Sequence, residues 1–265
     1  MHPLVASGDA GLACEVEGDG PTVVLVHAGI ADSRMWEPLS ARFRATHRVV
    51  RYDLRGYGRS VLPPGPFSHV DDLAAVVTAC ADGPVHLVGA SMGGRVALDL
   101  ALTRPHLVRG LVLLGTIVSG FEPDDTSVPP LWDAVVAADR AGDLDALADA
   151  EARMWLADPA GTRLPAGVLD LVRAMDRVAL ANERAGTAEE VPIDPPAAGR
   201  LGDVAVPVLV AVGDLDLDDV RLAADLLTAR LPSVERVDLP GTAHLPALER
   251  PDEVADLVLR FLDRP

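Results

Sequence analysis

The sequence predicts an α/β protein: a mostly parallel sheet flanked by helices, carrying an inserted block of helices. Three features predict it. Short β-type runs alternate with helical patterns along the first half of the chain. Those runs are apolar nearly throughout instead of at every second position, as strands buried on both faces are. The alternation then stops from about 117 to 200 before it resumes.

Leu12–Val16 and Thr22–His27 read as strands, separated by the turn-rich Glu17-Gly18-Asp19-Gly20-Pro21. Met35–Arg44 has helical spacing and Arg48–Asp53 is strand-like. Ser68 with Asp71 forms a capping box that opens a helix to about Ala81. Val85–Gly89 is a strand, Met92–Leu102 a helix and Val108–Leu114 a strand. No strand is expected between Ile117 and Arg200. That stretch holds Pro- and Asp-rich joins at 122–125, 128–130 and 192–196, and helical patterns over Trp132–Trp155 and Val168–Arg184. Strands return at Val206–Val212 and Val234–Leu239, each followed by a helix, Val220–Leu231 and Asp252–Leu262. The expected organisation is a core of 1–117 and 201–265 around a helical cap of 118–200.

Hydrophobic residues make up 49% of the 265, ample for one buried core with an insertion. The formal charge is −17, and all 23 basic residues are Arg. Without Lys there is no Schiff-base chemistry, no Walker lysine and no kinase-type lysine. The acidic balance argues against nucleic acid and against an anionic membrane as partners. Cys14 and Cys80 are too few for a disulfide framework and lack metal-ligand spacing. Met1 to Gly20 shows no secretory pattern, and the longest apolar stretch, Leu107 to Val118, is broken by Arg109. The expectation is a cytoplasmic monomer or homodimer.

Gly89-Ala90-Ser91-Met92-Gly93 is a G-x-S-x-G sequence set between an apolar strand and a helix. A serine on such a sharp turn projects its hydroxyl above the sheet edge. The next N–H, that of Met92, sits at a helix N-terminus where it can stabilise developing negative charge. The bland alternative is an ordinary turn with an N-capping serine. A serine nucleophile needs a base in hydrogen-bond reach. Of the seven histidines only His244 lies in a loop after a late strand. His86 lies inside the strand that leads to Ser91; His47, His69 and His106 look like surface or capping positions. The base needs an acid, and Gly213-Asp214-Leu215-Asp216-Leu217-Asp218-Asp219 supplies candidates between Ser91 and His244. An EF-hand reading from Asp214 fails, because Asp219 replaces the required Gly and Asp225 the Glu. Asp218 and Asp219 suit the N-terminus of the following helix. Asp216 is the first choice, Asp214 the second.

These segments together resemble an α/β-hydrolase of the esterase, lactonase and 3-oxoadipate enol-lactonase type. His27-Ala28-Gly29 is similar to the family's His-Gly-x oxyanion segment, and Asp53-Leu54-Arg55-Gly56-Tyr57-Gly58-Arg59-Ser60 to its Asp-x-Arg-Gly-x-Gly-x-Ser loop. Gly213 to Asp216 matches Gly-x-x-Asp, and His244 to Pro251, with Glu249, the closing segment that ends Glu-x-Pro. The resemblance implies the α/β-hydrolase fold and a triad of Ser91, Asp216 and His244. It also implies oxyanion donors at the Gly29 and Met92 N–H groups and no metal or organic cofactor. Position 28 departs from the pattern: Ala stands where Gly is usual and is less free to take a positive φ. If that shifts the loop, Ile30 serves in place of Gly29.

The implied reaction is hydrolysis of a small carboxylic ester or lactone through an acyl-enzyme. Same-scaffold C–C hydrolases, perhydrolases, lyases and non-catalytic receptors remain as alternatives. Trp36, Phe121, Trp132, Met154 and Trp155, with Met92, are the candidate pocket residues.

Overall fold

The computed structural model describes residues 4–123, 127–158 and 160–264; residues 124 and 125 of the first Pro- and Asp-rich join lie outside them. The described strands are β1 (Leu4–Ser7), β2 (Ala10–Glu17), β3 (Thr22–Val26), β4 (Arg48–Tyr52), β5 (Gly65–Phe67), β6 (Val85–Ala90), β7 (Val108–Leu114), β8 (Ala188–Glu190), β9 (Val208–Gly213) and β10 (Val234–Leu239). The α-helices are α1 (Glu37–Phe43), α2 (His69–Cys80), α3 (Met92–Thr103), α4 (Trp132–Ala141), α5 (Leu144–Trp155), α6 (Val168–Ala185), α7 (Asp218–Arg230), α8 (Pro246–Glu249) and α9 (Pro251–Leu262).

Eight strands form one sheet in the order β1-β2-β4-β3-β6-β7-β9-β10. β2 runs antiparallel to β1 and β4, and every other pairing is parallel. The continuous apolar runs now have a cause. Val24 and Val26 of β3 pack into one core layer with Leu73 of α2, Val96 of α3 and Leu227 of α7. Val23 and Leu25 point the other way, into a second layer with Phe43 of α1 and Val258 of α9. Alternation survives within the strand, but both faces are covered, so both sets are apolar. From β3 the chain steps to β4 on one side, then crosses to β6 on the other. Such a reversal opens a crevice at the carboxyl ends of β3 and β6.

Between β7 and β9 the chain departs from expectation twice. The single helical pattern over Trp132–Trp155 is two helices. Gly142 takes φ +73° and closes α4, and the Asp143 side chain accepts from Ala146 N–H to open α5. A strand also appears where none was expected: β8 pairs in parallel with β5. Ala-Glu-Glu has no apolar alternation, so only its distant partner makes it a strand. Smaller differences are β1, which adds a hairpin ahead of β2, and a 3₁₀ turn, Ser33–Trp36, that precedes α1.

The segment from α4 to α6 has its own apolar cluster, with Val135, Leu147 and Met154 at its centre. It is tied to the surrounding chain by side chains: Asn182 Nδ2 donates to Gly56 O at 2.7 Å and Arg163 pairs with Glu249 at 2.8 Å, while β8, just after it, is held to α3 by Glu190 and Arg95 at 2.8 Å. Among the described residues no helix is long and apolar enough to cross a membrane.

His47 and His69, read from the sequence as surface or capping positions, are both buried. His69 opens α2 beneath the edge of Phe67, their ring centroids 4.9 Å apart. Burial pushes His69 down to about 4 and His86 down to about 4, and also lowers His27 and His47. These rings are neutral in the fold and take up protons once unfolded. Their contribution to stability is therefore complete above pH 6.5 and is lost as pH falls toward 4. Asp99, raised to about 6 by burial, and Asp176, raised to about 9, act in the opposite direction. Glu151, also raised by burial, acts with these two carboxyls, so between pH 6 and 5 the imidazoles and the carboxyls move stability in opposite directions.

Candidate active site

Ser91 follows β6 with φ +50° and ψ −118°, a strained conformation for a residue with a side chain. The sequence around it makes the turn possible. A Cβ on Gly89 would meet the Gly93 carbonyl oxygen and Gly94, and one on Gly93 would collide with the Val26 and His27 carbonyl oxygens. Ser91 N–H donates to Leu114 O at 2.9 Å, which fixes the turn against the end of β7. The Ser91 side chain makes no capping bond to α3, so the bland capping role is not the one it plays. Met92 N–H lies in the first turn of α3, where N–H groups have no acceptor within the helix.

Two strands further along the sheet, the loop after β9 delivers Asp216 and the loop after β10 delivers His244. His244 Nδ1 lies 2.9 Å from Asp216 Oδ1 and 3.1 Å from Oδ2. Both side chains are buried. The other acids of the cluster are committed elsewhere: Asp214 accepts from Gly241 N–H at 2.6 Å, and Asp219 from Val220 N–H at 2.9 Å. Asp218 is held by Ser127 and Arg221. Gly115, at the end of β7, completes the seat. Its φ is +52°, and a Cβ there would stand 3.0 Å from Asp216 Oδ2 and 3.1 Å from His244 O. The sequence reading passed over Gly115, although a glycine directly after a strand neighbouring the serine strand is a usable signal.

Glu249 gives the closing motif a physical role. Its carboxylate accepts from Ala243 N–H at 2.9 Å and from Leu245 N–H at 3.1 Å, bracketing His244. Arg163 pairs with the same carboxylate at 2.8 Å. Glu249→Ala removes an acceptor from two buried amides. It is expected to cost about 2–4 kcal/mol of stability and to lower turnover at least tenfold. Urea denaturation and steady-state kinetics check this; wild-type values in both would refute the role.

On the other flank, β3 ends in a turn closed by Ala31 N–H donating to Ala28 O at 3.0 Å. Neither Ala28 nor Gly29 takes a positive φ, so the Ala28 departure strains nothing. Gly29 borders Met92, to whose Cβ an added Cβ would approach within 3.8 Å. His27 clips this turn in place: Nδ1–H donates to Ala28 O and Nε2 accepts from Leu54 N–H, both at 2.8 Å. Asp53 accepts from Ser33 N–H and Arg59 N–H, each at 2.9 Å. Burial opposes ionisation of Asp53, but these hydrogen bonds outweigh it and hold its carboxyl below the usual range. Arg55 binds Asp72 through two nitrogens at 2.8 and 2.9 Å. The Asp53–Ser60 loop is thus a brace.

The pocket candidates separate. Trp155 stacks on His244 with ring centroids 4.3 Å apart, and His244 N–H donates to Trp155 O at 3.3 Å. Met154 lines a cavity of about 310 Å³ that also reaches Asp216. Trp36 is sealed in the core, Phe121 packs against the first core layer, and Trp132 is 45% exposed. Tyr57, not singled out from the sequence, stands over His27 with its hydroxyl 3.8 Å from Met92 Sδ. Among the described residues no group of three or more His, Cys, Asp or Glu could hold a metal ion.

Comparison with known proteins agrees with this fold. The chain is 36% identical to a pyrrolizixenacetamide deacetylase of Xenorhabdus hominickii over 142 residues, about half of either protein (52% and 53%). It is 28% identical to a 2-(acetamidomethylene)succinate hydrolase of Mesorhizobium japonicum, covering 93% of this chain and 90% of that one. In structure it is similar to the enol-lactonase of Burkholderia xenovorans LB400, with a TM-score of 0.80, 25% identity, and coverage of 99% and 100%. The profile of the alpha/beta hydrolase family matches residues 23–257, a span that includes Ser91, Asp216 and His244. The chain belongs to the alpha/beta hydrolase family and is an enzyme of that hydrolytic class.

Proposed function

We propose that the chain is a serine hydrolase that cleaves a small carboxylic ester or lactone through an acyl-enzyme. The observation that carries this reading is that a strained serine turn and a buried His244–Asp216 pair both follow strands of one sheet at its carboxyl edge. Likeness to an enol-lactonase supports the ester and lactone class.

In this reading His244 Nε2 takes the Ser91 hydroxyl proton as Oγ attacks the carbonyl carbon. Asp216 holds the Nδ1–H tautomer and stabilises the imidazolium. The oxyanion is bound by the N–H groups of Met92 and Gly29, which need no rearrangement as charge develops. His244 then protonates the leaving alcohol, and a water deprotonated by the same ring releases the acid. Residues 118–200 act as the cap, and 1–117 with 201–265 as the catalytic core. Trp155, against His244, and Met154, in the cavity that reaches Asp216, are wall residues of that cap.

Incubation with phenylmethylsulfonyl fluoride is expected to add one sulfonyl group to the Ser91 peptide by mass spectrometry and to stop p-nitrophenyl acetate turnover. No turnover of short p-nitrophenyl esters or simple lactones, or labelling at another residue, would reject the reading.

A further inference from the structure

The chain has only two cysteines, far apart in sequence, and the fold brings them to one place. Cys14 lies in β2, and Cys80 is the last residue of α2. Alternation along β2 turns Leu12, Cys14 and Val16 toward one core layer. Helical spacing along α2 turns Leu73, Val76, Val77 and Cys80 into the same layer from the other side. The two side chains meet there, sharing a hydrogen bond, and both are free thiols.

Their surroundings differ. Cys14 is fully buried, whereas Cys80 is part-exposed at the end of its helix. Arg48, the first residue of β4, lies against Cys80, with its Nε donating to Cys80 O at 3.2 Å. The hydrogen bond from Cys14 outweighs burial and, joined by the Arg48 charge, brings the Cys80 thiol down to about 7. The same hydrogen bond, with burial, holds Cys14 far above its usual range as a protonated thiol. Reactivity of a cysteine needs thiolate character and access to solvent. Cys80 has both, and Cys14 stands beside it with neither. A metal site is the other common use of paired thiols, but it needs further ligands. Among the described residues no group of three or more His, Cys, Asp or Glu supplies them.

We propose that Cys80 and Cys14 form a dithiol oxidised by hydroperoxides, with Cys80 as the attacking thiolate and Cys14 as the resolving thiol. The Cys80 sulfur attacks one oxygen of hydrogen peroxide; the O–O bond breaks, and the departing hydroxide takes up a proton to become water. Cys80 is then a sulfenic acid, oxidised by two electrons. The Cys14 sulfur next attacks the Cys80 sulfur, the S–O bond breaks, and the Cys14 proton leaves with the second hydroxide as water. Two thiols and one peroxide thus become one disulfide and two waters. The new bond joins β2 to α2 and closes residues 14–80 into a covalent loop. That loop holds β3, the Gly29 turn and the Asp53–Ser60 brace. Ala13, beside Cys14, already anchors the brace: its carbonyl accepts from Asp53 N–H at 3.0 Å, and its N–H donates to Ser60 Oγ at 2.9 Å. Ser91 takes no part, so the inference stands apart from the proposed triad.

The test treats the intact, reduced protein at about pH 7.5 with a roughly tenfold excess of hydrogen peroxide, then blocks with N-ethylmaleimide and digests without reductant. The expected product is a linked Cys14–Cys80 peptide pair and an intact mass lower by two hydrogens, both reversed by dithiothreitol. Before oxidation, iodoacetamide should label Cys80 at least about tenfold faster than Cys14. Cys14→Ala should stop Cys80 at the sulfenic acid, trapped by dimedone. Cys80→Ser changes a part-exposed position and should leave Cys14 unoxidised over the same time. The urea midpoint of the oxidised chain should exceed that of the reduced one, because the bond constrains the unfolded state. The proposal is overturned by links between chains only, or by Cys80 oxidised to sulfinic acid with Cys14 still reduced. Cys14 labelled first, Cys14 oxidised as fast in Cys80→Ser, or a midpoint that falls on oxidation would overturn it equally.

Discussion

Ser91→Ala is expected to lower kcat for p-nitrophenyl acetate by about 10⁴–10⁶ while leaving the fold intact. The loss is large because nothing else in the site can form the covalent intermediate. The fold should survive because the Ser91 hydroxyl caps nothing and its N–H, which donates to Leu114 O, is unchanged. Strain gives a second reading of the same position. At φ +50° any side chain costs about 1–3 kcal/mol, and glycine does not. Ser91→Gly should therefore be as inactive as the alanine variant yet more stable in urea. Activity within tenfold of wild type in either variant would remove Ser91 from the chemistry.

Asp216→Asn is expected to cost about 10³–10⁴ in kcat with KM little changed. Both carboxylate oxygens lie within 3.1 Å of His244 Nδ1, so in the proposed triad the carboxylate accepts a hydrogen bond from Nδ1–H and leaves Nε2 free to act as base. An amide can instead donate to Nδ1. That favours the opposite tautomer, with Nε2 protonated and unable to take the serine proton. Asp214→Asn serves as the control: its oxygen accepts from Gly241 N–H, not from the imidazole. It should lower stability before turnover. If both variants lose activity equally, the assignment within the acidic cluster is wrong.

The core was legible in the sequence because its signals are local and repeated. β3, β6, β7 and β9 are short apolar runs, each ending at a residue that marks a turn, and no other element type fits them. β8 was not legible, since Ala188–Glu190 is a strand only because Gly65–Phe67 lies beside it. The break between α4 and α5 was written in Gly142-Asp143, a left-handed closing residue followed by a capping acid, but apolar spacing on both sides masked it. Chemical identity was more legible than environment. Ser91, Asp216 and His244 stand on motifs with fixed spacing, whereas the burial of His47 and His69 depends on which distant side chains cover them. The same limit applies to the aromatic candidates: composition found Trp36, Trp132 and Trp155 together, and only packing separates a core ring, a surface ring and a ring on the imidazole.

That last ring has a mechanical consequence. The indole of Trp155 and its carbonyl hold His244 from two sides, while Arg163, from the segment after α5, grips the carboxylate that brackets it. The proposed cap is here coupled to the proposed base. Substitutions made in α5 to widen the pocket should consequently change how fast the bond breaks as well as what binds. Evolution of selectivity in this enzyme would therefore be constrained at Trp155 and free on the outer faces of the same helix.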